Sequence, residues 1–182
     1  VYAGRIEKQK APILMLDVLE QTAARVGPLG LVIVGDGRLK PAVRRGAEAR
    51  GLSGKVRLIP PVTRRELAGI YHACDVSLCT SWFEAGPRHV FESLACGLPV
   101  VSFDVGQVNQ VLDTSCRTGY LVAERSPAEF AKGLACVLAV PTSDERAREC
   151  AERVAGFTPQ AALRPILAAY ERIAERRVAG GH

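Results

Sequence analysis

The chain has 182 residues, 48% of them hydrophobic and 24% charged, with a formal net charge of +5. This is the profile of an ordinary globular protein of one domain with a substantial core. It excludes a membrane-crossing helix, since no apolar run approaches the roughly 20 residues required, and it gives no support to nucleic-acid binding, since no basic stripe is interleaved with aromatics.

In chain order, β-type apolar runs alternate with amphipathic helical stretches. Strands are predicted at 1–3, 29–34, 55–59, 75–79, 98–103 and 119–122. Helices are predicted at 11–25, 40–50, 64–73, 88–95 and 127–139. The runs Leu31-Val32-Ile33-Val34 and Pro99-Val100-Val101 are apolar without alternation, the mark of strands covered on both faces in a parallel sheet. The alternation predicts an α/β domain with a doubly wound parallel sheet of about six strands over 1–140. Two further helices follow at 143–154 and 159–177, with Ser143 and Thr158 as caps and Pro159 at a first helical position. They form a C-terminal helical extension over 141–182, packed on the same domain, with a frayed end at 179–182. The opening Val1-Tyr2-Ala3-Gly4 reads as a strand and turn, which sets the expectation of an excised domain or a natural subunit.

Six cysteines (Cys74, Cys79, Cys96, Cys116, Cys136 and Cys150) show no C-x-x-C spacing. They are expected to be small buried thiols of a reducing cytosol. Three unclustered histidines offer no metal site.

In open parallel sheets, ligands bind beyond the carboxyl ends of the strands, so the loops there hold the candidates. After the first strand, Gly4 permits a tight exit, Arg5 offers a bidentate fork for phosphate, and Lys10, with Lys8 as competitor, adds a point charge. Gly35-Asp36-Gly37 follows the second strand but makes neither a dinucleotide fingerprint nor a P-loop, so its glycines are assigned to the turn. After the third strand, the backbone of Pro60-Pro61-Val62 is a candidate for reading a base, with carbonyls and the Ile59 N–H doing so because Pro60 and Pro61 lack donors.

The segment 81–106, SWFEAGPRHVFESLACGLPVVSFDVG, is the richest. Glu84 and Glu92 lie eight residues apart around a Gly86-Pro87 turn that opens a helix. With Pro87 at the first helical position, the free amides near Gly86, Arg88 and His89 make an anion site. Glu84 then stands beside a phosphate-linked sugar, and Glu92 can accept from both hydroxyls of a ribose. His89 either contacts the ligand or fills the helix flank, and Trp82 is a packing residue. The loop Asp104-Val105-Gly106-Gln107 is positioned to cover the ligand. Phosphate grip and polyol acceptors together suit a nucleotide sugar.

These motifs, in this order, resemble the C-terminal donor-binding domain of GT-B fold glycosyltransferases, of the large retaining family called group 1 or family 4. GRIEKQK is similar to the family's G-R-x-x-x-x-K phosphate motif, and FEAGPRHVFESLACGLPVVSFDVG to its E-x7-E region. LVIVGDGRLKPAVRRGAEARGL and VRLIPPVTRRELAGIYHACDVSLCTS resemble the βα units between them. The departures are Ala11 and Pro60 where glycine is usual, Thr80 for a frequent proline, and Gln107 for the second glycine of a pair.

The resemblance implies a Rossmann-like C-terminal half of a GT-B fold and transfer of a hexosyl group from an NDP-sugar such as a UDP-sugar. It assigns the donor diphosphate to Arg5, Lys10, Gly86 and Arg88. It assigns the donor sugar and ribose to Glu84, Glu92 and His89, with Glu84 also steadying the charge at the anomeric carbon. It leaves the base at Ile59 and Pro60. It implies no cofactor and no metal, a cytoplasmic location with peripheral membrane association through Arg172, Arg176 and Arg177 as an option, and no nucleic-acid partner. The acceptor domain that precedes such a half in the family is absent from this chain, so the chain alone is expected to be inactive without it or a partner subunit. The competing readings are a non-catalytic nucleotide-sugar-binding or regulatory module, and a GT-B nucleotide-sugar epimerase.

Overall fold

A computed structural model describes residues 1–179. Six parallel strands, β1 (Tyr2–Ala3), β2 (Leu31–Val34), β3 (Val56–Ile59), β4 (Ser77–Cys79), β5 (Val100–Phe103) and β6 (Gly119–Val122), alternate with α1 (Leu14–Val26), α2 (Lys40–Ala49), α3 (Arg64–His72), α4 (Arg88–Ala95) and α5 (Pro127–Ala139). Two more helices follow, α6 (Asp144–Glu152) and α7 (Pro159–Ala179).

The strands form two three-stranded parallel sheets, β1-β2-β3 and β4-β5-β6. They meet edge to edge at Val1, whose nitrogen donates to the Val76 carbonyl at 2.7 Å and whose carbonyl accepts from Leu78 N–H at 2.9 Å. The composite order is therefore β3-β2-β1-β4-β5-β6. The expected sheet is present, but as two halves joined at a short seam. The order in which successive strands are added across the sheet reverses between β1 and β4, while all strands stay parallel, and a crevice opens at such a point beyond the strand ends.

The non-alternating runs are buried as their composition demands: all of β5 and three of four residues of β2 are sealed. Helices α1 and α5 pack together on one face, and α3, α4 and α6 group on the other. Ser126 and Ser143 cap α5 and α6 by accepting from Glu129 and Arg146 amides at 3.2 and 3.1 Å, as expected of such residues. Thr158 accepts from Ala161 N–H at 3.1 Å ahead of α7.

Two expectations need correction. Cys116 and Cys136 form a disulfide, with Cα atoms 5.6 Å apart, and Cys136 lies on an exposed face of α5. These two are not buried thiols, and the bridge removes the cysteine-based reason for a reducing compartment; Cys74, Cys79, Cys96 and Cys150 remain free. The C-terminal extension also divides. Cys150 and Val154, in and just after α6, join the main core. By contrast, Leu163, Ile166, Leu167, Tyr170 and Ile173 of α7 are each more than half exposed. Arg172 is exposed on that helix, whereas the side chains of Arg176 and Arg177, and the end at 180–182, lie outside the described residues. Among the described residues no helix is long and apolar enough to cross a membrane.

Ala11 adopts the left-handed conformation, φ 48° and ψ 52°, where the family resemblance expects glycine. A Cβ there costs roughly 1 kcal/mol. Ala11→Gly is therefore expected to raise stability by about 1 kcal/mol, read as a shift of the urea midpoint at unchanged slope. An unshifted midpoint would mean that the surrounding turn absorbs the strain.

Candidate functional site

The crevice at the seam is an open cleft of about 740 Å³. Its floor is the exit of β1 and β2. There Gly35 lies so close to Gly4 that a Cβ on it would stand 2.0 Å from the Gly4 carbonyl oxygen, so only glycine fits. Tyr2 is fully buried beneath, and its phenol donates to the Arg5 carbonyl at 3.0 Å, fixing the turn that presents Arg5. Burial pushes this phenol's pKa up, so it stays a neutral donor.

Three hydrogen bonds stitch the loop after β1 to the loop after β4. Thr80 Oγ1 donates to the Lys10 carbonyl at 2.9 Å, Trp82 N–H to the Gln9 carbonyl at 2.8 Å, and Gln9 Nε2 to the Phe83 carbonyl at 2.6 Å. They bring Lys10 and Glu84, 74 positions apart, into an ion pair between Nζ and Oε1, with side chains only 13% and 9% exposed. Ser81 Oγ donates to the same Oε1 at 2.8 Å. Behind this loop, a Cβ on Gly106 (φ 56°) would lie 2.8 Å from the carbonyl oxygens of Glu84 and Ala85. Arg125 donates to the carbonyls of Trp82 and Asp104 at 2.7 and 3.1 Å. The 104–107 loop thus buttresses the Glu84 loop from behind and does not line the cleft, contrary to its expected role as a cover. Trp82 packs as expected, stacked on Phe103 at 6.2 Å between ring centroids, with the Arg125 guanidinium 5.8 Å from its own ring.

On the opposite wall, α4 begins at Arg88. Pro87, expected at the first helical position, is the cap residue instead, because its ψ of 86° is not helical. Val90 N–H is tied to the Pro87 carbonyl at 2.9 Å, and the amides of Arg88 and His89 have no backbone acceptor among the described residues. A helix start with two free donors is an anion site.

Of the predicted residues, Arg5, Lys10, Glu84, Gly86, Arg88, His89 and Glu92 all line this one cleft. Lys10, not the exposed Lys8, is the lysine that does so. Ile59 and Pro60 do not line it: the Ile59 carbonyl is taken by Gly35 N–H at 2.9 Å, and Pro60 faces solvent. The wall there is two residues further on, at Pro61, Val62, Arg64 and Leu67. The expected base-reading turn Pro60-Pro61-Val62 thus contributes Pro61 and Val62, whereas Arg64 and Leu67 were not anticipated, nor were Asp36 at the β2 exit and the Thr80 and Ser81 hydroxyls. Arg64 had a signal, since the Thr63–Glu66 capping box aims the first turn of α3 at the strand ends.

His89 is 8% exposed, its ring edge-on to Tyr2 at 5.5 Å, and its Nε2 is buried without a partner. Burial, the largest influence, with a further push from Lys10, takes its pKa down to about 4 against the opposing pull of Glu84 and Glu92. The unfolded chain binds a proton here near pH 6.5 and the folded chain only near pH 4. Between those values the unfolded state binds more protons, so stability falls as pH drops through this window, by about 3 kcal/mol in all. Urea unfolding at pH 7 and pH 4.5 should show His89→Gln losing much less stability over that interval than the parent chain. An equal loss in both would rule out His89 as the source.

The glycosyl transferases group 1 family matches residues 1–154. The chain belongs to that family. A D-inositol 3-phosphate glycosyltransferase of Mycobacteroides abscessus is 32% identical over 176 residues, covering 94% of this chain and 38% of its own length. A Frankia alni protein of the same description is 33% identical over 180 residues, covering 93% of this chain and 44% of its own. This group 1 chain therefore spans about two-fifths of the length of the curated relatives it matches. In fold it is similar to the sucrose-phosphate synthase of Thermosynechococcus elongatus, with a TM-score of 0.77, 22% identity, and coverage of 97% of this chain and 45% of that one. It is also similar to the pneumococcal O-GlcNAc transferase GtfA, solved with UDP and GlcNAc, at a TM-score of 0.74 and 20% identity, covering 96% and 35%. The fold is thus the Rossmann-like C-terminal half of a GT-B glycosyltransferase.

Proposed function

We propose that this chain is the nucleotide-sugar-binding half of a retaining glycosyltransferase that moves a hexosyl group from an NDP-sugar to an acceptor held elsewhere. The observation that carries the reading is the cleft itself. It joins a cationic, donor-rich side (Arg5, Lys10, Arg88 and the α4 amides) to an acidic, acceptor-rich side (Glu84, Glu92) over one seam. Diphosphate belongs to the first side and sugar and ribose to the second.

Arg5, Lys10 and the helix start meet the charge that grows on the diphosphate as its bond to the anomeric carbon breaks. That work needs no metal and no cofactor. Glu84 lies where positive charge develops on the sugar, and Glu92 holds the ribose. The base rests against Pro61, Val62 and Leu67. The UDP in the pneumococcal relative supports a nucleotide donor. The two-fifths coverage of the curated relatives supports a separate acceptor-binding domain or subunit as the partner that completes transfer.

Calorimetric titration of the folded chain with UDP, GDP and ADP tests the reading, and at least one is expected to bind. No binding of any would overturn it. In a protein carrying both halves, Glu84→Gln is expected to lower kcat about 100-fold while changing donor affinity far less, because its interaction strengthens in the transition state. An unchanged kcat would remove Glu84 from that role.

A further inference from the structure

Two consecutive hydroxyls leave β4, and both are fully buried: Thr80 and Ser81 are 0% exposed. Each holds one member of the Lys10–Glu84 pair. Thr80 fixes the Lys10 backbone through its carbonyl, at 2.9 Å, a bond that the proline frequent at this position in the family could not make. Ser81 fixes the Glu84 carboxylate at 2.8 Å. The two donors to Glu84, the Lys10 ammonium and the Ser81 hydroxyl, fall on the same oxygen, Oε1. Oε2 accepts from no described residue and is not among the sealed polar atoms, and Glu84 lines the cleft.

From this asymmetry we infer that Ser81 is a positioning residue: it locks the Glu84 carboxylate in the rotamer that turns Oε2 to the donor sugar. The inference rests on the nucleotide-sugar reading of the cleft. A carboxylate held by the lysine alone would keep its charge but not its direction, since an ammonium is a point charge without a preferred acceptor geometry. The hydroxyl supplies the direction. With Ser81 in place, one oxygen is saturated and the other is presented unpaired, so a sugar hydroxyl meets an acceptor that needs no reorganisation.

The test separates sugar recognition from nucleotide recognition. The chain is titrated with UDP, GDP and ADP and with UDP-glucose, GDP-mannose and ADP-glucose, and the pair with the largest affinity gain from the sugar is carried forward. Ser81→Ala should keep the nucleoside diphosphate Kd within about twofold and lose about tenfold in the gain from the sugar, as removal of one hydrogen bond to a charged group predicts. Glu84→Gln should lose the same gain, and the double variant should lose no more than either single one, the mark of residues acting as a unit. Ser81→Thr, which keeps the hydroxyl, should restore the gain.

A sugar gain that survives in Ser81→Ala but not in Glu84→Gln overturns the assignment. So does an equal loss for the bare diphosphate and the sugar nucleotide, or additive losses in the double variant, since these mark a merely structural serine. If no sugar nucleotide outbinds its diphosphate, Glu84 presents nothing to a sugar and the assignment fails while the nucleotide reading stands. Absence of all diphosphate binding overturns that underlying reading and the assignment with it.

Discussion

Replacing Arg146 by Met is expected to cost about 4 kcal/mol and to lower the melting temperature by roughly 10 °C. The residue is 3% exposed. No carboxylate pairs with it among the described residues; four carbonyls do instead. Nε donates to Arg117 at 2.6 Å, Nη1 to Val140 at 2.5 Å, and Nη2 to Val137 at 2.8 Å and Cys116 at 3.3 Å. Two of these acceptors lie at the carboxyl end of α5, where the helix dipole and unpaired carbonyls favour a cation. The others belong to the turn that leads into β6. One planar guanidinium thus joins α6, the end of α5 and that turn. Methionine can fill the space but donates nothing, so four carbonyls lose this donor together, and of them Val137 keeps the Val140 N–H at 3.3 Å. Thermal and urea unfolding check this. A loss below 1 kcal/mol would mean that water replaces the guanidinium.

The second large effect is expected at Lys10, and it should appear in two measurements at once. Lys10→Met removes the cation beside a Glu84 carboxylate that is only 9% exposed. The stranded charge should cost about 2 kcal/mol of stability. The same change should weaken nucleoside diphosphate binding about 50-fold, through loss of a charge-assisted bond to phosphate. The two losses have different sources and can be separated. Adding Glu84→Gln to Lys10→Met removes the stranded charge, so stability should partly return while diphosphate affinity does not. Recovery of both, or of neither, would mean that Lys10 does not play these two parts.

Much of this was legible in the sequence. Non-alternating apolar runs gave the buried strands, and the boundaries of β6, α4 and α5 agree to the residue, because serine, proline and glycine punctuate them. Seven of the nine predicted site residues share the cleft, because strand exits in a parallel sheet converge on one edge and the motifs lie at those exits. What the sequence could not display was contact between distant loops. Of the turn after β3, Pro61 and Val62 line the cleft but Ile59 and Pro60 do not, since the ladder to Gly35 continues past the last strand residue and uses the Ile59 carbonyl. The Cys116–Cys136 bridge depends on how the turn before β6 lies against α5, which spacing does not encode. The Ser81 hydroxyl has meaning only after Lys10 arrives from the loop after β1 to share its acceptor, Glu84, 74 positions along the chain.

The junction between the two sheets has a mechanical consequence. Within each half, β2 pairs with β3, and β5 with β6, over four residues, whereas across the seam the hydrogen bonds are the two of Val1 and the stitches between the exit loops, with α1 packed on α5 and one shared hydrophobic core holding the halves together behind them. The molecule is built like an open book bound along its back by α1 against α5 and by the shared core, and the cleft runs along its opening. Any molecule that grips Arg5 on one page and Glu84 or Arg88 on the other acts as a clasp, so occupancy of the cleft and cohesion of the fold rise and fall together.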